Sequence, residues 1–201
     1  MDKSIIDALL QICEPFLMRD NLEGMYGKLE DMASPPRYKF LTDKYGYCEM
    51  DEDFISDVTS LLIQCDIDVM EEFNKIGYIP SHAFRWLDED DIPDSIIQKT
   101  GDDDTILTFK KYPGIKSIGY QSFKGTDFDI IDISGLEVIE GAFSYTNTAN
   151  LIIDDNTLVN EGAFDYGEIE TVYVPNSMTE DDVRKKLEGS GIDEGFNIRF
   201  Q

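Results

Sequence analysis

The sequence predicts an α+β chain. A small N-terminal lobe, helical or α+β, takes residues 1–75, and a short β-solenoid with a C-terminal helix and strand cap takes residues 76–201. Three observations carry this. A phrase recurs, "VIEGAF" at 138–143 and "VNEGAF" at 159–164. A strand-like apolar alternation follows each phrase at a constant distance. Helical periodicity occupies the first third of the chain and then fades into short apolar runs between Gly, Asn, Asp and Pro.

The N-terminal third holds two well-patterned helices. Ser4 caps the first, with Asp7 three residues on. Ile5, Ile6, Leu9, Leu10, Cys13 and Phe16 then form an apolar face, and Pro15 kinks or ends the helix. "NLEGMYGKLEDM" is weaker helical sequence, the Pro pair at 35–36 is a break, and "RYKFLTDKYGYCEM" has strand-like aromatics around a turn. From Asp51, Phe54, Ile55, Val58, Leu61, Leu62 and Cys65 share one helical face, and "DIDVMEEFNKIG" continues as a second short helix.

The solenoid follows from register. With Phe143 and Phe164 at one point of a repeat, Phe123 and Phe84 fall at the same point, each preceded by a small residue. The step from Phe84 to Phe123 is close to twice each later step. It therefore reads as two periods, with a degenerate unit and an insertion around "DTILTF" (104–109). Eight and ten residues after each Phe stand Ile131 and Ile133, Leu151 and Ile153, Val172 and Val174. That is a strand burying alternate residues. One such unit cannot cover its own apolar face, so neighbours must stack. Gly141 and Gly162 suit a tight bend, the small residue after them leaves room for the next coil, and Phe84, Phe123, Phe143 and Phe164 plug the interior. Thr179 with Asp182 forms a capping box for a helix over 180–188, Gly189 or Gly191 stops it, and "FNIRF" (196–200) adds a last strand.

The same register turns the residue between each buried pair outward: Asp132, Ile152 and Tyr173. Ile130 and Asp154 flank that row. These five, apolar and aromatic residues among acids, are the expected partner-binding face.

Phrases such as "IEGAF", "VNEGAF", "DIPDSI" and "VYVPNS", over about 76–192, resemble the BspA-like type of bacterial leucine-rich repeat. The step between successive Phe corners falls in the range of leucine-rich repeats. His82 and Gln121 stand where that pattern has Gly. The resemblance implies a small curved solenoid that presents a strand surface to proteins, with no enzymatic activity.

Charge narrows the function. Asp and Glu number 42 against 17 Lys and Arg, a net charge of -25. It is not a tail: residues 1–75 hold 17 acids and 7 bases, and residues 115–201 hold 17 acids and 6 bases. Direct nucleic-acid binding is disfavoured, and a basic protein surface is the expected partner. No run of about 18 apolar residues exists, so no membrane span is expected. The N-terminal stretch reads as a helix of the mature protein, because Asp7, Gln11 and Glu14 break its apolar run. Cys13, Cys48 and Cys65 are odd in number and unpaired by spacing, which argues against a disulfide framework and for a reducing cytoplasm.

No motif points to chemistry. "DEDD" (88–91) and "GDDD" (101–104) lack calcium-loop spacing, and "MDEDF" (50–54) sits at a helix start. His82 is alone and has no triad partner in sequence. No zinc, nucleotide or other cofactor motif is present. The expected function is therefore a non-enzymatic binding module that engages or inhibits a basic or nucleic-acid-binding protein. The alternative is a nucleic-acid mimic, such as a viral anti-defence protein. An enzyme in the N-terminal lobe ranks below both.

Overall fold

The computed structural model describes residues 59, 63, 68–88, 91–101 and 104–201. Apart from Thr59 and Ile63, both helical, the N-terminal elements expected before residue 66 and all three cysteines lie outside the described residues.

The chain coils. Helix α1 (Val69–Ile76) leads into β1 (Tyr78–Ile79), β2 (Ile97–Lys99), β3 (Thr105–Thr108), β4 (Ser117–Ile118), β5 (Ile130–Asp132), β6 (Glu137–Val138), β7 (Asn147–Ile152), β8 (Leu158–Val159) and β9 (Glu168–Val174). Helix α2 (Glu180–Leu187) and β10 (Asn197–Phe200) close it. The strands form two sheets, a short one ordered β1-β4-β6-β8 and a long one ordered β10-β9-β7-β5-β3-β2. All pairings are parallel except β2 with β3. Each coil passes from a strand of the short sheet, through a corner bearing the repeat Phe, to a strand of the long sheet. This is a β-solenoid, as the repeat predicts.

The repeat Phe residues form its axis. Phe84, Phe123, Phe143 and Phe164 are all at most 1% exposed. Successive ring centroids lie 5.0, 5.3 and 5.2 Å apart, with interplanar angles of 24°, 9° and 7°. Each buried ring contributes roughly 1.5–3 kcal/mol by burial, and each stacked pair about 0.5–1.5 kcal/mol more. The small residue before each Phe is the reason coils approach so closely: Ala83, Ser122, Ala142 and Ala163 are fully buried. Their row is also the backbone ladder. Phe84, Phe123 and Phe143 each donate an N–H, at 2.8 Å, to the carbonyl of the small residue in the next coil. Phe164 makes the same bond to Ser190 in the cap. The alternate strand residues Ile131, Ile133, Leu151, Ile153, Val172 and Val174 are buried as expected.

One expectation is corrected. The stretch from Phe84 to Phe123 makes one coil, where its length suggested two periods. β1 pairs directly with β4, Tyr78 opposite Ser117, and Phe84 stacks on Phe123. "DTILTF" does form a strand, β3, in register with β5, but the extra residues are spent on the β2–β3 hairpin at the edge of the long sheet. They supply neither a corner Phe nor a strand of the short sheet, so they widen one coil without adding another.

Both ends are covered. Asp68 caps α1 and Gly77, at φ +91°, ends it. Phe73 of α1 sets its ring edge on Phe84 at 6.1 Å. The compact unit holding the solenoid begins at Thr59 and includes α1. At the other end Thr179 and Asp182 form the expected capping box of α2. Lys186 Nζ donates to the carbonyls of Asp155 and Thr157, tying α2 to the β8 turn. Among the described residues no helix is long and apolar enough to cross a membrane.

Candidate binding surface

The corner that carries each Phe needs two residues in the left-handed region. One lies two residues before the Phe: His82 (φ +63°), Gln121 (+54°), Gly141 (+67°) and Gly162 (+68°). The other lies two residues after it: Trp86 (+58°), Gly125 (+72°), Tyr145 (+59°) and Tyr166 (+63°). Only Gly adopts this conformation without a Cβ clash. Glycine therefore marks the first row by sequence, and His82 and Gln121 adopt it without being Gly. His82 is buried against the edge of Tyr120, 5.5 Å between rings, with Nδ1 3.5 Å from Arg85 Nη1.

The second row faces out. Trp86 is 54% exposed, Tyr145 46% and Tyr166 76%. Tyr145 and Tyr166 stack at 4.8 Å and 18°, and Trp86 lies 6.2 Å from Tyr145. Trp86 reaches Tyr145 across the intervening coil because Gly125 is there: a Cβ at Gly125 would sit 1.9 Å from Trp86 Cε3. Lys124 Nζ lies over the rings of Trp86 and Tyr145, 5.6 and 5.3 Å from their centroids. The result is an exposed aromatic ladder along one corner of the solenoid, parallel to the buried Phe ladder and already holding one cation. Backbone bonds space it, Trp86 N–H to Lys124 O, Gly125 to Ser144 O and Tyr145 to Asp165 O, at 2.8–2.9 Å. The repeat reading missed these residues, although "AFRW", "SFKG", "AFSY" and "AFDY" carry them two places after each Phe.

The outer face of the long sheet differs from expectation in its acids. Asp132, Ile152 and Tyr173 do share one row, with Ile130 on the next. Ile130, Ile152 and Tyr173 are half-buried. Asp132 is not exposed: it is buried, ion-paired with Lys110 at 2.7 Å, and accepts bonds from Ser134 N and Oγ. Asp154 is likewise a turn residue. Its Oδ1 accepts from the backbone N–H of Gly135 (2.9 Å), Asn156 (3.0 Å) and Thr157 (2.9 Å), and from Thr157 Oγ1 (2.9 Å). Burial opposes its ionisation, but these bonds outweigh it and hold its carboxyl below the usual carboxylate range. Both acids went to coil-to-coil turns, where donors from a neighbouring coil await them. Asp132 is buried in its turn, whereas Asp154 is half-buried with its bonds on Oδ1. Asp127 and Asp129 serve the same way, bonding Asn147 N and Thr105 N at 2.8 Å.

Among the described residues no three His, Cys, Asp or Glu side chains are placed to share a metal ion. His82 faces Tyr120 and Arg85 in a buried corner. Comparison of the chain with protein-family models, with curated proteins and with solved structures returns no match.

Proposed function

We propose that the protein is a non-catalytic binding module that engages a basic protein partner through its exposed aromatic ladder. The observation that carries this is a residue choice the fold does not require. A bulky side chain in the left-handed region costs roughly 1–2 kcal/mol relative to Gly. The same row accepts Gly at position 125. Yet Trp86, Tyr145 and Tyr166 keep that conformation with about half or more of their surface in water. Strain held at a surface without burial in return marks recognition. Exposed Trp and Tyr are the side chains that anchor protein interfaces.

The acidic surface supplies the other half. A net charge of -25 speeds encounter with a basic partner and disfavours acidic ones. The repeat phrases that resemble BspA-like leucine-rich repeats support the same reading, and the cysteine usage favours action in a reducing cytoplasm.

The test is affinity capture from the native host's lysate at low and moderate salt, with wild-type protein beside the Trp86→Ala/Tyr145→Ala double variant. A protein held by wild type at both salt levels and lost from the variant is the expected result. Equal retention by the two would reduce the interaction to bulk charge and sink the reading.

A further inference from the structure

The ladder has one open end, and its surroundings say what belongs there. One face of Tyr166 is covered by Tyr145. Among the described residues no ring stacks on its other face, and Tyr166 is the most exposed of the large apolar and aromatic side chains, at 76%. It lines a cleft of about 1080 Å³ beside α2. The cap continues the solenoid's register here: Gly162 N–H donates to Gly189 O and Phe164 N–H to Ser190 O, both at 2.8 Å. Counted on from those bonds, Gly191 follows Phe164 and Asp193 follows Tyr166. The position next to Tyr166 in this count is Asp193, which also lines the cleft; its Oδ1 accepts from Gly195 N–H at 3.0 Å, and among the described residues no bond engages its Oδ2.

We propose that this cleft is the seat of an arginine side chain of the partner, its guanidinium stacked on the free face of Tyr166 and paired with Asp193. The inference rests on the binding-module reading and names its recognition point. A planar guanidinium both stacks on an aromatic face and forks onto a carboxylate, which an ammonium does less well. The ladder already demonstrates the first contact, with Lys124 over Trp86 and Tyr145. The cleft wall is acidic: Asp181, Glu188, Asp193 and Glu194 stand against Arg184 and Lys185. Arg184 is held within that wall, bonded to Glu180 at 2.8 and 3.0 Å and to the Glu194 carbonyl at 3.1 Å and lying over Phe196, so its charge is already partnered. The volume exceeds what one guanidinium fills and suits a short peptide segment carrying it.

The test is calorimetric titration of the full chain with hexa-arginine, hexa-lysine and hexa-citrulline peptides at moderate salt. Hexa-arginine should bind, hexa-lysine more weakly, and the neutral isostere hexa-citrulline at least tenfold more weakly than hexa-arginine. Tyr166→Ala should weaken hexa-arginine binding by about fivefold to tenfold. Tyr166→Phe should stay within about twofold, because the ring face persists. Asp193→Asn should weaken binding, while Glu137→Gln, the same charge change in the short sheet, should not. Far-ultraviolet circular dichroism of Tyr166→Ala checks that the fold persists. If hexa-arginine binds Tyr166→Ala as it binds wild type, or hexa-citrulline binds equally well, or hexa-arginine does not bind, the arginine seat is wrong. If binding then falls only in Trp86→Ala/Tyr145→Ala, the ladder reading survives without the seat; if no variant changes it, both fail.

Discussion

Two aromatic ladders run along this solenoid, two residues apart in every repeat. The inner one is Phe84, Phe123, Phe143 and Phe164, evenly spaced and with no water contact to speak of. The outer one is Trp86, Tyr145 and Tyr166, interrupted at Gly125 and exposed throughout. The inner rings are there because the coils need filling. Nothing in the interior needs the outer rings, whose backbone conformation argues against them. The difference separates side chains kept for stability from side chains kept for contact, and that separation is open to experiment.

The largest effect should come from the inner ladder. Phe143→Ala leaves a hole between two stacked rings and is expected to cost about 3–5 kcal/mol, read by denaturant unfolding. Tyr145→Ala, two residues on, should cost far less while abolishing partner capture. If the two variants lose similar stability, the outer ladder is structural and the contrast collapses.

A smaller effect tests the corners. Gly162→Ala places a Cβ at φ +68°, 3.0 Å from Asp165 Oδ2, and should cost about 1–2 kcal/mol. At Tyr145 the same preference should appear. Once the ring is gone, Tyr145→Gly should be the more stable variant, above Tyr145→Ala by about 1 kcal/mol. Thermal melts of the four proteins in parallel would settle it, and an alanine variant as stable as glycine at 145 would remove the strain argument.

The smallest effect concerns the turn acids. The folded state holds the Asp154 carboxyl below its unfolded value. Its contribution is therefore complete above the ordinary carboxylate pKa of about 3.9, and is lost as pH falls through the depressed folded value. Asp154→Asn should lower stability near neutrality and flatten the acid limb of a melting-temperature profile. Parallel acid limbs in variant and wild type would mean the hydrogen bonds do not hold the charge.

Much of this fold was legible in the residues. The phrase ending in a small residue and Phe located four corners, the alternation after it located the buried strand positions, and Thr179 with Asp182 located α2. Each is a local pattern whose meaning does not depend on what lies opposite. The candidate site was legible only in part. Ile130, Ile152 and Tyr173 lie on the outer sheet face as counted, but half-buried. Asp132 is buried where the register turned it outward, because a strand register states which way a side chain points, and not which donor from another turn or coil will meet it. Trp86, Tyr145 and Tyr166 passed unremarked because their spacing has meaning only once the corner is known to turn left-handed there.

The sequence by itself determined the repeat, its period and its interior, because a stack of similar coils writes the same apolar demand at the same interval. Tertiary structure alone decided that the long stretch from Phe84 to Phe123 makes one coil, that Asp132 and Asp154 among other acids bond within turns, and that three distant aromatic residues form one surface. Those outcomes depend on pairing between coils, and pairing is fixed only when the coils are in place.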